Sequence, residues 1–379
     1  MFFLGQAGNY RAKDIWRHTF ALGSSASARR LQKHLAERYQ APISQVALYS
    51  TGRSALAAAI KATVPKNSQV IITALTCYAV VQAVKAAGCI PIFADIDTKT
   101  LHYGAKQLQK TLKKYPKAKA LIVQNNLGIP ADMPAIRRIA KKQGLAIIED
   151  LAHSAGIKYT DGSEAGTVGD ATILSFGKGK KIDTIAGGAL ILRDSSLPPP
   201  KQPQLRSRLS DSLRARFYPL FGATIRGLYH FNLGSKNLGR AYTAFLLKLR
   251  FIERSADAPL DLTRRPTYWQ CRLALRQLKS LDSAPLREYY LVDDRAATLS
   301  ELATAGYIMY DTWYDIPVAP ERYYKKAAFP EQDCPNAMNI TEQIINLPTH
   351  YDRSALKTAR QIINRHDISK KLARGSRHA

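Results

Sequence analysis

The sequence has few acidic residues, few cysteines and no long apolar run. Only 29 of its 379 residues are Asp or Glu, against 56 Lys and Arg, which gives a net charge of +27. The four cysteines (Cys77, Cys89, Cys271, Cys334) are widely scattered. No disulfide framework and no metal site is therefore predicted, and a reducing compartment is favoured. Because no run of about 18 uncharged apolar residues occurs, no transmembrane helix is expected.

The excess of positive charge limits the classes of partner. It predicts attraction to polyanions, which are nucleic acids, anionic lipid surfaces or small molecules that carry phosphate. Zinc-finger spacing, a basic region followed by heptads and an RNA-binding aromatic signature are all missing, so nucleic acid is a weak alternative. The first residues, MFFLGQAGNYRAKD, turn polar too soon for a signal peptide, so we expect a cytoplasmic protein.

Short apolar runs alternate with helical patterns between residues 45 and 194. The predicted strands are QVIIT, IPIFADI, KALIVQ, LAIIED, ATILSF and GGALILRD, and helical segments separate the first four. Alternation of this kind, with strands apolar enough to be buried on both faces, predicts a largely parallel α/β sheet. Ligands of such sheets lie beyond the carboxyl ends of the strands, which places Asp150 and Ser175 on the ligand side.

Residues 195–262 interrupt this alternation. After the linker SSLPPPKQPQ, apolar residues recur every four positions with arginines between them (Leu205, Leu209, Leu213, Phe217, Phe221; Arg206, Arg208, Arg214, Arg216). This spacing predicts a basic amphipathic helix, and RAYTAFLLKLRFI predicts a second. Such stripes either pack on the protein's own core or contact an anionic membrane, so residues 200–255 are the candidate for peripheral membrane association.

The remainder of the chain is expected to form a smaller unit. YWQCRLALRQLKSLD predicts a long helix that leads into an α+β portion with a helical tail. We therefore predict a large α/β domain over residues 1–262, insert included, and a small C-terminal domain over residues 263–379.

Three short motifs carry candidate chemistry. In TGRSALAAAIKA, Thr51, Gly52, Arg53 and Ser54 open a helix whose free N–H groups and dipole can bind an anion, although any capped helix looks similar. Asp150, at the end of IIED, either faces a ligand or caps the next turn.

The stretch SFGKGKK places three lysines (Lys178, Lys180, Lys181) in a turn after Ser175. They form either a solvated basic turn or the site of a reactive amine. An anion cradle, an acid and an amine at one sheet edge are what a pyridoxal phosphate (PLP) enzyme needs for its phosphate, its pyridine nitrogen and its aldehyde.

The order and spacing of three blocks carry a resemblance to a known family. The blocks are VIITALTCYAVVQAVKAAGCIPIFADID, GIPADMPAIRRIAKKQGLAIIEDLAHSAG and GDATILSFGKGKKIDTIAGGALIL, with WYDIP and INLPTHYD as weaker pieces. The chain resembles the nucleotide-sugar aminotransferases of DegT/DnrJ/StrS type. The resemblance implies the fold of type-I PLP enzymes, a mostly parallel seven-stranded sheet flanked by helices, with a smaller C-terminal α+β domain.

The resemblance also assigns roles to residues. The lysine that forms the Schiff base lies five residues after the Ser of the SF pair, which selects Lys180. The acid at the ring nitrogen falls on Asp150 and the contact to the ring hydroxyl on His153. Phosphate ligands fall on Ser175 and on the turn of Thr51, Gly52, Arg53 and Ser54. Cys77 occupies the usual position of the stacking aromatic, so Tyr78 beside it is the candidate.

The implied reaction is transfer of an amino group from a donor, glutamate in this prediction, to a keto-sugar linked to a nucleotide, with ping-pong kinetics and a homodimeric enzyme. Relatives often place an Asn at Thr263 that reaches the neighbouring subunit's phosphate; here Arg264 or Arg265 could compensate. A dehydratase of the same fold carries His at the lysine position, and Lys180 argues against it. A lipid-linked or membrane-associated acceptor and a non-catalytic or regulatory protein of the same fold remain alternatives.

Overall fold

Strands and helices alternate along the first half of the chain. The computed structural model describes residues 2–3, 10–204, 209–234, 236–252, 257, 260–308, 313–349 and 354–368. Its strands are β1 (Phe2–Phe3), β2 (Val46–Tyr49), β3 (Gln69–Thr73), β4 (Thr76–Cys77), β5 (Ile90–Ala94), β6 (Ala118–Val123), β7 (Ala146–Asp150), β8 (Ala171–Ser175), β9 (Gly188–Leu192), β10 (Asn232–Leu233), β11 (Lys236–Asn237), β12 (Arg287–Leu291), β13 (Tyr307–Ile308), β14 (Val318–Ala319) and β15 (Ile344–Pro348). Its α-helices are α1 (Ala12–Thr19), α2 (Ser25–Arg38), α3 (Gly52–Thr63), α4 (Tyr78–Ala86), α5 (Ala105–Lys114), α6 (Met133–Gln143), α7 (Leu209–Leu228), α8 (Leu238–Lys248), α9 (Tyr268–Leu278), α10 (Arg295–Thr304), α11 (Tyr324–Ala327), α12 (Pro335–Gln343) and α13 (Lys357–His366).

A seven-stranded sheet with the order β2-β9-β8-β7-β6-β3-β5 forms the centre of the large domain. β9 runs antiparallel to both of its neighbours, whereas the pairs from β8 through to β5 are parallel. The predicted α/β class, with a mostly parallel sheet, is confirmed. All six strands predicted from the sequence are present, and β2 adds the edge strand that the prediction did not include.

Apolar side chains cover both faces of this sheet. Successive residues of a strand point to opposite faces, so Ile72 joins the core beneath α3 and α4, while Ile71 joins the core beneath α2, α5, α6 and α9. Both side chains are fully buried. Burial on both faces explains why these strands read as continuous apolar runs rather than as alternating ones.

Helix ends carry the local signals that set the loops at the sheet edge. Asp132 caps α6 by accepting a hydrogen bond from Ala135 N at 3.2 Å, and Gly144 ends that helix in the left-handed conformation with φ 62°. Thr51 caps α3 in the same way, accepting from Ser54 N at 3.1 Å. Because α3 begins directly after β2 and packs against β8 and β9, its amino end lies near the ends of β7 and β8.

The C-terminal part has its own small core. β12 and β15 pair antiparallel, and α10 and α13 pack beside them. The helix predicted to link the two parts is shorter than expected: α9 ends at Leu278, before the helix-breaking run of Ser280, Asp282, Ser283 and Pro285. It packs against α2 in the core of the large sheet. The division at 262/263 stays a prediction.

Two helices form most of the insert, as the spacing predicts. α7 packs against both α8 and α1. The start of the predicted stripe, Leu205, lies outside the described residues. In the part of the chain that the structure describes, no helix combines the length and apolarity needed to cross a bilayer.

Candidate active site

The three lysines of SFGKGKK point in different directions. Lys178 places its Nζ over the ring of Tyr218 in α7, 4.3 Å from the ring centre. Lys181 binds Asp282, with Nζ 2.8 Å from the backbone O and 3.2 Å from Oδ1. Lys180 instead turns toward the ends of β7 and β8, where its Nζ lies 2.7 Å from His153 Nε2. Geometry therefore separates the lysines that sequence composition could not.

The protonation of His153 follows from its neighbours. The backbone N–H of Leu127 donates to His153 Nδ1 at 3.2 Å, so Nδ1 is an acceptor. A neutral imidazole then carries its proton on Nε2, and Nε2–H donates to the lone pair of Lys180 Nζ. Burial is the main cause that holds the pKa of His153 well below its usual value, and Arg287 lowers it further, which agrees with a neutral ring.

This hydrogen bond requires Lys180 to be a neutral amine. The site favours that form: burial is the main cause that lowers the pKa of Lys180, although Cys77 and Asp150 act in the opposite direction. A neutral lysine amine is a nucleophile, whereas the ammonium form is not. The arrangement therefore presents Lys180 in its reactive state.

Two acids end β7, and they have different surroundings. Glu149 is fully buried and accepts hydrogen bonds from Gly166 N, Val168 N, Gly169 N and Tyr159 OH, which assigns it to the structure of the following loop. Asp150 points to the other face. It accepts from Ala152 N at 2.9 Å and interacts with Lys180, and burial raises its pKa to about 6.

The amino end of α3 and the end of β8 form a cradle. A Cβ on Gly52 would lie 2.8 Å from Ser175 Oγ, so only glycine lets the first turn of α3 approach this hydroxyl. Ser54 Oγ lies 2.9 Å from Thr51 Oγ1, which places two hydroxyls at the amino end of the helix. Helix N-termini of this kind bind anions, and a phosphate needs several converging donors.

Two of the predicted site residues face another direction. The ring of Tyr78 stacks on Tyr323, with ring centres 4.6 Å apart and planes at 7°. Arg53 interacts with Cys77, Tyr323, Asp257 and Tyr78. Both residues therefore line the side of the cradle toward the C-terminal domain, and a contact of Tyr78 with a cofactor ring stays a prediction.

Sequence reasoning missed an aromatic pair at this site. Trp313 stacks on His153, with ring centres 4.7 Å apart and planes at 19°, and Lys180 Nζ lies 4.6 Å from the centre of the Trp313 ring. Tyr314 OH donates to Asn126 Oδ1 at 3.0 Å. The WYDIP block holds both aromatics, so the signal was available, but no periodicity connects it with the lysine loop.

A buried arginine completes this corner. Arg287, in β12, is 3% exposed and donates to Asn346 through Nε and Nη2. Its guanidinium lies 4.8 Å from the centre of the Trp313 ring, and it lowers the pKa of His153 and of Lys180 electrostatically. The C-terminal part thus contributes an aromatic ring and a cation to the lysine site.

The residues proposed to replace the usual Asn make contacts within their own chain. Thr263 Oγ1 donates to Asp261 Oδ1 at 2.7 Å, and Arg264 Nε lies 2.9 Å from Asp261 Oδ2. Arg265 donates to Tyr268 OH at 2.6 Å. Any contact of these side chains with a second subunit stays a prediction.

Together, these groups place a neutral amine, a buried carboxyl and an anion cradle at one edge of the sheet. Residues 17–201 match the model of the DegT/DnrJ/EryC1/StrS aminotransferase family. The spore coat polysaccharide biosynthesis protein SpsC of Bacillus subtilis (strain 168) is 28% identical over 313 residues, which cover 78% of each chain.

Two further relatives extend the comparison. GDP-perosamine synthase of Escherichia coli O157:H7 is 36% identical, but over only 149 residues, or 39% of this chain and 40% of that one. A Streptococcus pneumoniae protein solved in a PLP form is 18% identical, with a TM-score of 0.64 over 95% of this chain and 97% of that chain, which shows the shared fold. The chain is therefore similar to the DegT/DnrJ/EryC1/StrS aminotransferase family over residues 17–201, slightly less than half of its length.

Proposed function

We propose that this protein is a PLP-dependent aminotransferase that moves an amino group from an amino-acid donor, glutamate in our prediction, to a keto-sugar linked to a nucleotide in polysaccharide biosynthesis. The observation that carries the proposal is the 2.7 Å contact between Lys180 and His153 beside Asp150, which presents one amine next to one buried carboxyl. The names of the E. coli and B. subtilis relatives support the sugar and polysaccharide parts.

The residues present fit pyridoxal 5′-phosphate. The cradle that a Cβ on Gly52 would fill suits the phosphate, with Thr51, Ser54 and Ser175 as hydroxyl donors and Arg53 as a neighbouring cation. Asp150 suits the pyridine nitrogen, and His153 the ring hydroxyl. Lys180 suits the aldehyde carbon. When bound, the cofactor supplies a carbonyl that takes up nitrogen and a ring that stabilises negative charge.

The side chains of this site then have separate tasks. Lys180 would hold the cofactor, and its neutral Nζ would be the base that takes the proton from the donor Cα, because a neutral amine can accept a proton. Asp150 would face the ring nitrogen, where its carboxylate would favour a positive charge. His153 holds the lysine neutral, and Trp313 and Tyr314 fix the His153 ring.

The remaining parts of the proposal concern partners and place. The enzyme is a cytoplasmic homodimer, and its two substrates share one site, so initial rates follow ping-pong kinetics. Peripheral association with the inner face of a membrane through residues 200–255 also belongs to this proposal. It is supported by the charge of this segment, in which Arg and Lys greatly outnumber Asp and Glu.

A spectroscopic experiment tests the enzymatic core of the proposal. L-glutamate added to the PLP-loaded protein should change the absorption of the cofactor, and a keto-sugar nucleotide should restore it. Borohydride reduction followed by peptide mapping should label Lys180. Lys178→Ala and Lys181→Ala are matched controls, since both side chains point away from His153, and both variants should keep the label.

Other outcomes would contradict the proposal. A label on Lys178 or Lys181 would contradict the assignment of Lys180. A folded, PLP-loaded protein whose spectrum no amino acid alters would favour the regulatory alternative over an aminotransferase.

A further inference from the structure

Three helices, α1, α7 and α8, form one layer on the large domain. α7 packs against both others. Arg216 Nη1 of α7 donates to Thr19 O at the end of α1 at 3.1 Å. Phe221 of α7 lies 5.9 Å, between ring centres, from Phe251 just after α8. We call this unit the helical layer; it comprises residues 10–22 and 209–252 apart from Ser235.

Exposed apolar side chains concentrate on the helical layer. Among the described residues, twelve large apolar side chains are exposed, and ten of them belong to this layer (Trp16, Phe20, Leu22, Leu213, Leu220, Phe231, Leu233, Phe245, Leu249, Phe251). The most exposed is Leu233 at 74%, and Trp16 is 66% exposed. An exposed apolar patch on a soluble domain marks a contact surface.

The apolar side chains lie in register on each helix. Trp16 and Phe20 are four residues apart, as are Phe245 and Leu249, and Leu213 and Leu220 are seven apart, so each pair shares one face of its helix. The rings of Trp16 and Phe20 are in contact, with centres 4.2 Å apart. Phe231 and Leu233 lie at the turn between α7 and α8. Each element of the layer thus presents an apolar face or tip.

The layer is also strongly basic. Its sequence carries ten Arg and Lys (Arg11, Lys13, Arg17, Arg214, Arg216, Arg226, Lys236, Arg240, Lys248, Arg250) against two acids, Asp14 and Asp211. Basic residues beside exposed aromatic and leucine side chains are the composition of helices that lie in the interface of an anionic bilayer.

The layer is fixed to the loop that carries Lys180. Tyr218 of α7 lies under Lys178 Nζ, 4.3 Å away, and its ring contacts Tyr10 edge-on. Tyr10 OH donates to Asp183 Oδ2 at 3.2 Å, and Gly179 N donates to the same oxygen at 2.9 Å. A surface that binds the layer therefore lies beside the active site.

Two other occupants fit this surface less well. In an isologous dimer the same patch faces its own copy, which would bring two strongly positive surfaces together. Nucleic acid would match the charge. It would leave the ten exposed apolar side chains unexplained, because contacts of basic side chains with phosphate supply most of the non-specific affinity for nucleic acid. An anionic bilayer matches both the charge and the apolar side chains.

We propose that the helical layer is a docking surface for an anionic lipid bilayer, in which the exposed rings enter the headgroup region and the basic side chains contact lipid phosphates. The surface includes α1, which the sequence pattern of the insert did not single out. Membrane association through residues 200–255 is part of the proposed function, and here it is extended to a defined surface. Only the claim that docking brings an aminotransferase site to the membrane rests on the proposed function.

Flotation with lipid vesicles tests the proposal on the full-length holoenzyme. The protein should float with vesicles of phosphatidylcholine and phosphatidylglycerol, and much less with phosphatidylcholine alone or in high salt. The triple variant Phe231→Ser, Leu233→Ser, Phe245→Ser should bind at least about tenfold more weakly, because three apolar anchors no longer enter the interface. The matched control is Ile43→Ser, Ile90→Ser, which changes the two large apolar side chains outside the layer that are exposed among the described residues and should bind like wild type.

Several results would overturn the proposal. These are no flotation with anionic vesicles, equal flotation with neutral ones, or an equal loss in the control variant. A triple variant that becomes monomeric in sedimentation but still floats would assign the surface to a second copy. Tighter binding of duplex DNA, weakened by the same substitutions, would assign it to nucleic acid. Because flotation requires no turnover, a failed docking surface and a failed aminotransferase assignment give separate results.

Discussion

The lysine site and the helical layer use basic residues in opposite ways. At the sheet edge, Lys180 loses most contact with water, and its hydrogen bond to His153 requires the neutral amine. In the helical layer, ten basic residues accompany apolar side chains that remain exposed. The first arrangement makes a reactive group and the second a binding surface. Surroundings, not residue type, decide which of the two a lysine serves.

Removal of the Lys180 amine should have the largest effect. Lys180→Ala removes both the group that holds the cofactor and the base, so we expect transamination to fall by at least about a thousandfold. Coupled assays of keto-acid release from the donor measure this loss. Lys178→Ala and Lys181→Ala should stay within a few fold of wild type, and a loss of similar size in either variant would break the distinction between Lys180 and its neighbours.

Asp150→Asn should separate function from stability. The amide cannot hold a positive charge at the ring nitrogen, so transamination should fall by about a hundredfold or more. Burial raises the pKa of Asp150 to about 6, so its ionisation in the folded apoprotein opposes folding. The folded state binds more protons than the unfolded state between the two pKa values, and stability therefore falls as pH rises from about 4 to 6.

The apoprotein carrying Asp150→Asn should accordingly be more stable than wild type at about pH 8, by up to about 3 kcal/mol, and the gain should disappear near pH 4. Denaturant unfolding of both apoproteins at the two pH values measures it. Glu149→Gln is the contrasting variant, because this carboxylate accepts four hydrogen bonds in the loop, and it should destabilise the protein. A Glu149→Gln variant as stable as wild type would break the contrast between the two acids.

Replacement of Trp313 should have a smaller, pH-dependent effect. Trp313→Ala opens the face of His153 and admits water to Lys180, so the pKa of Lys180 should rise because its burial lessens. The apoenzyme needs the neutral amine to take up PLP, and the midpoint of uptake should therefore shift to higher pH. Trp313→Phe retains a ring and should shift this midpoint less. The measurement is PLP uptake by the apoenzymes as a function of pH, and identical midpoints for the two variants and wild type would show that the ring plays no part.

Much of the fold could be predicted from the sequence because the sheet strands are buried on both faces. Runs such as QVIIT and LAIIED have few other stable placements, and each became a strand of the central sheet. β2 was missed, since its four residues are too short to show a pattern. The packing of α9 on α2 was also not predictable, because an apolar stripe shows which face of a helix is buried but not which element covers that face.

The sequence identified many of the residues at the site but few of the contacts between them. Asp150 and Ser175 end strands, so the direction of a parallel sheet placed them together. The tautomer of His153 depends on the N–H of Leu127, which a left-handed turn with φ 58° at Leu127 directs toward the ring. Trp313 and Arg287 come from the C-terminal part, more than a hundred residues away in sequence. Long-range packing of this kind leaves no local signal.

The smallest expected effect is the stability change for Phe231→Ser in the helical layer. Phe231 is 61% exposed, so its replacement should change the free energy of unfolding by no more than about 0.5 kcal/mol. Phe176, fully buried after β8, is the matched comparison, and Phe176→Ala should cost about 3–5 kcal/mol. Denaturant unfolding measures both. If Phe231→Ser were as costly as the core substitution, the ring would be part of the fold and not of a docking surface. If Phe231→Ser leaves stability unchanged but weakens vesicle binding, the ring serves the contact with the bilayer and not the fold.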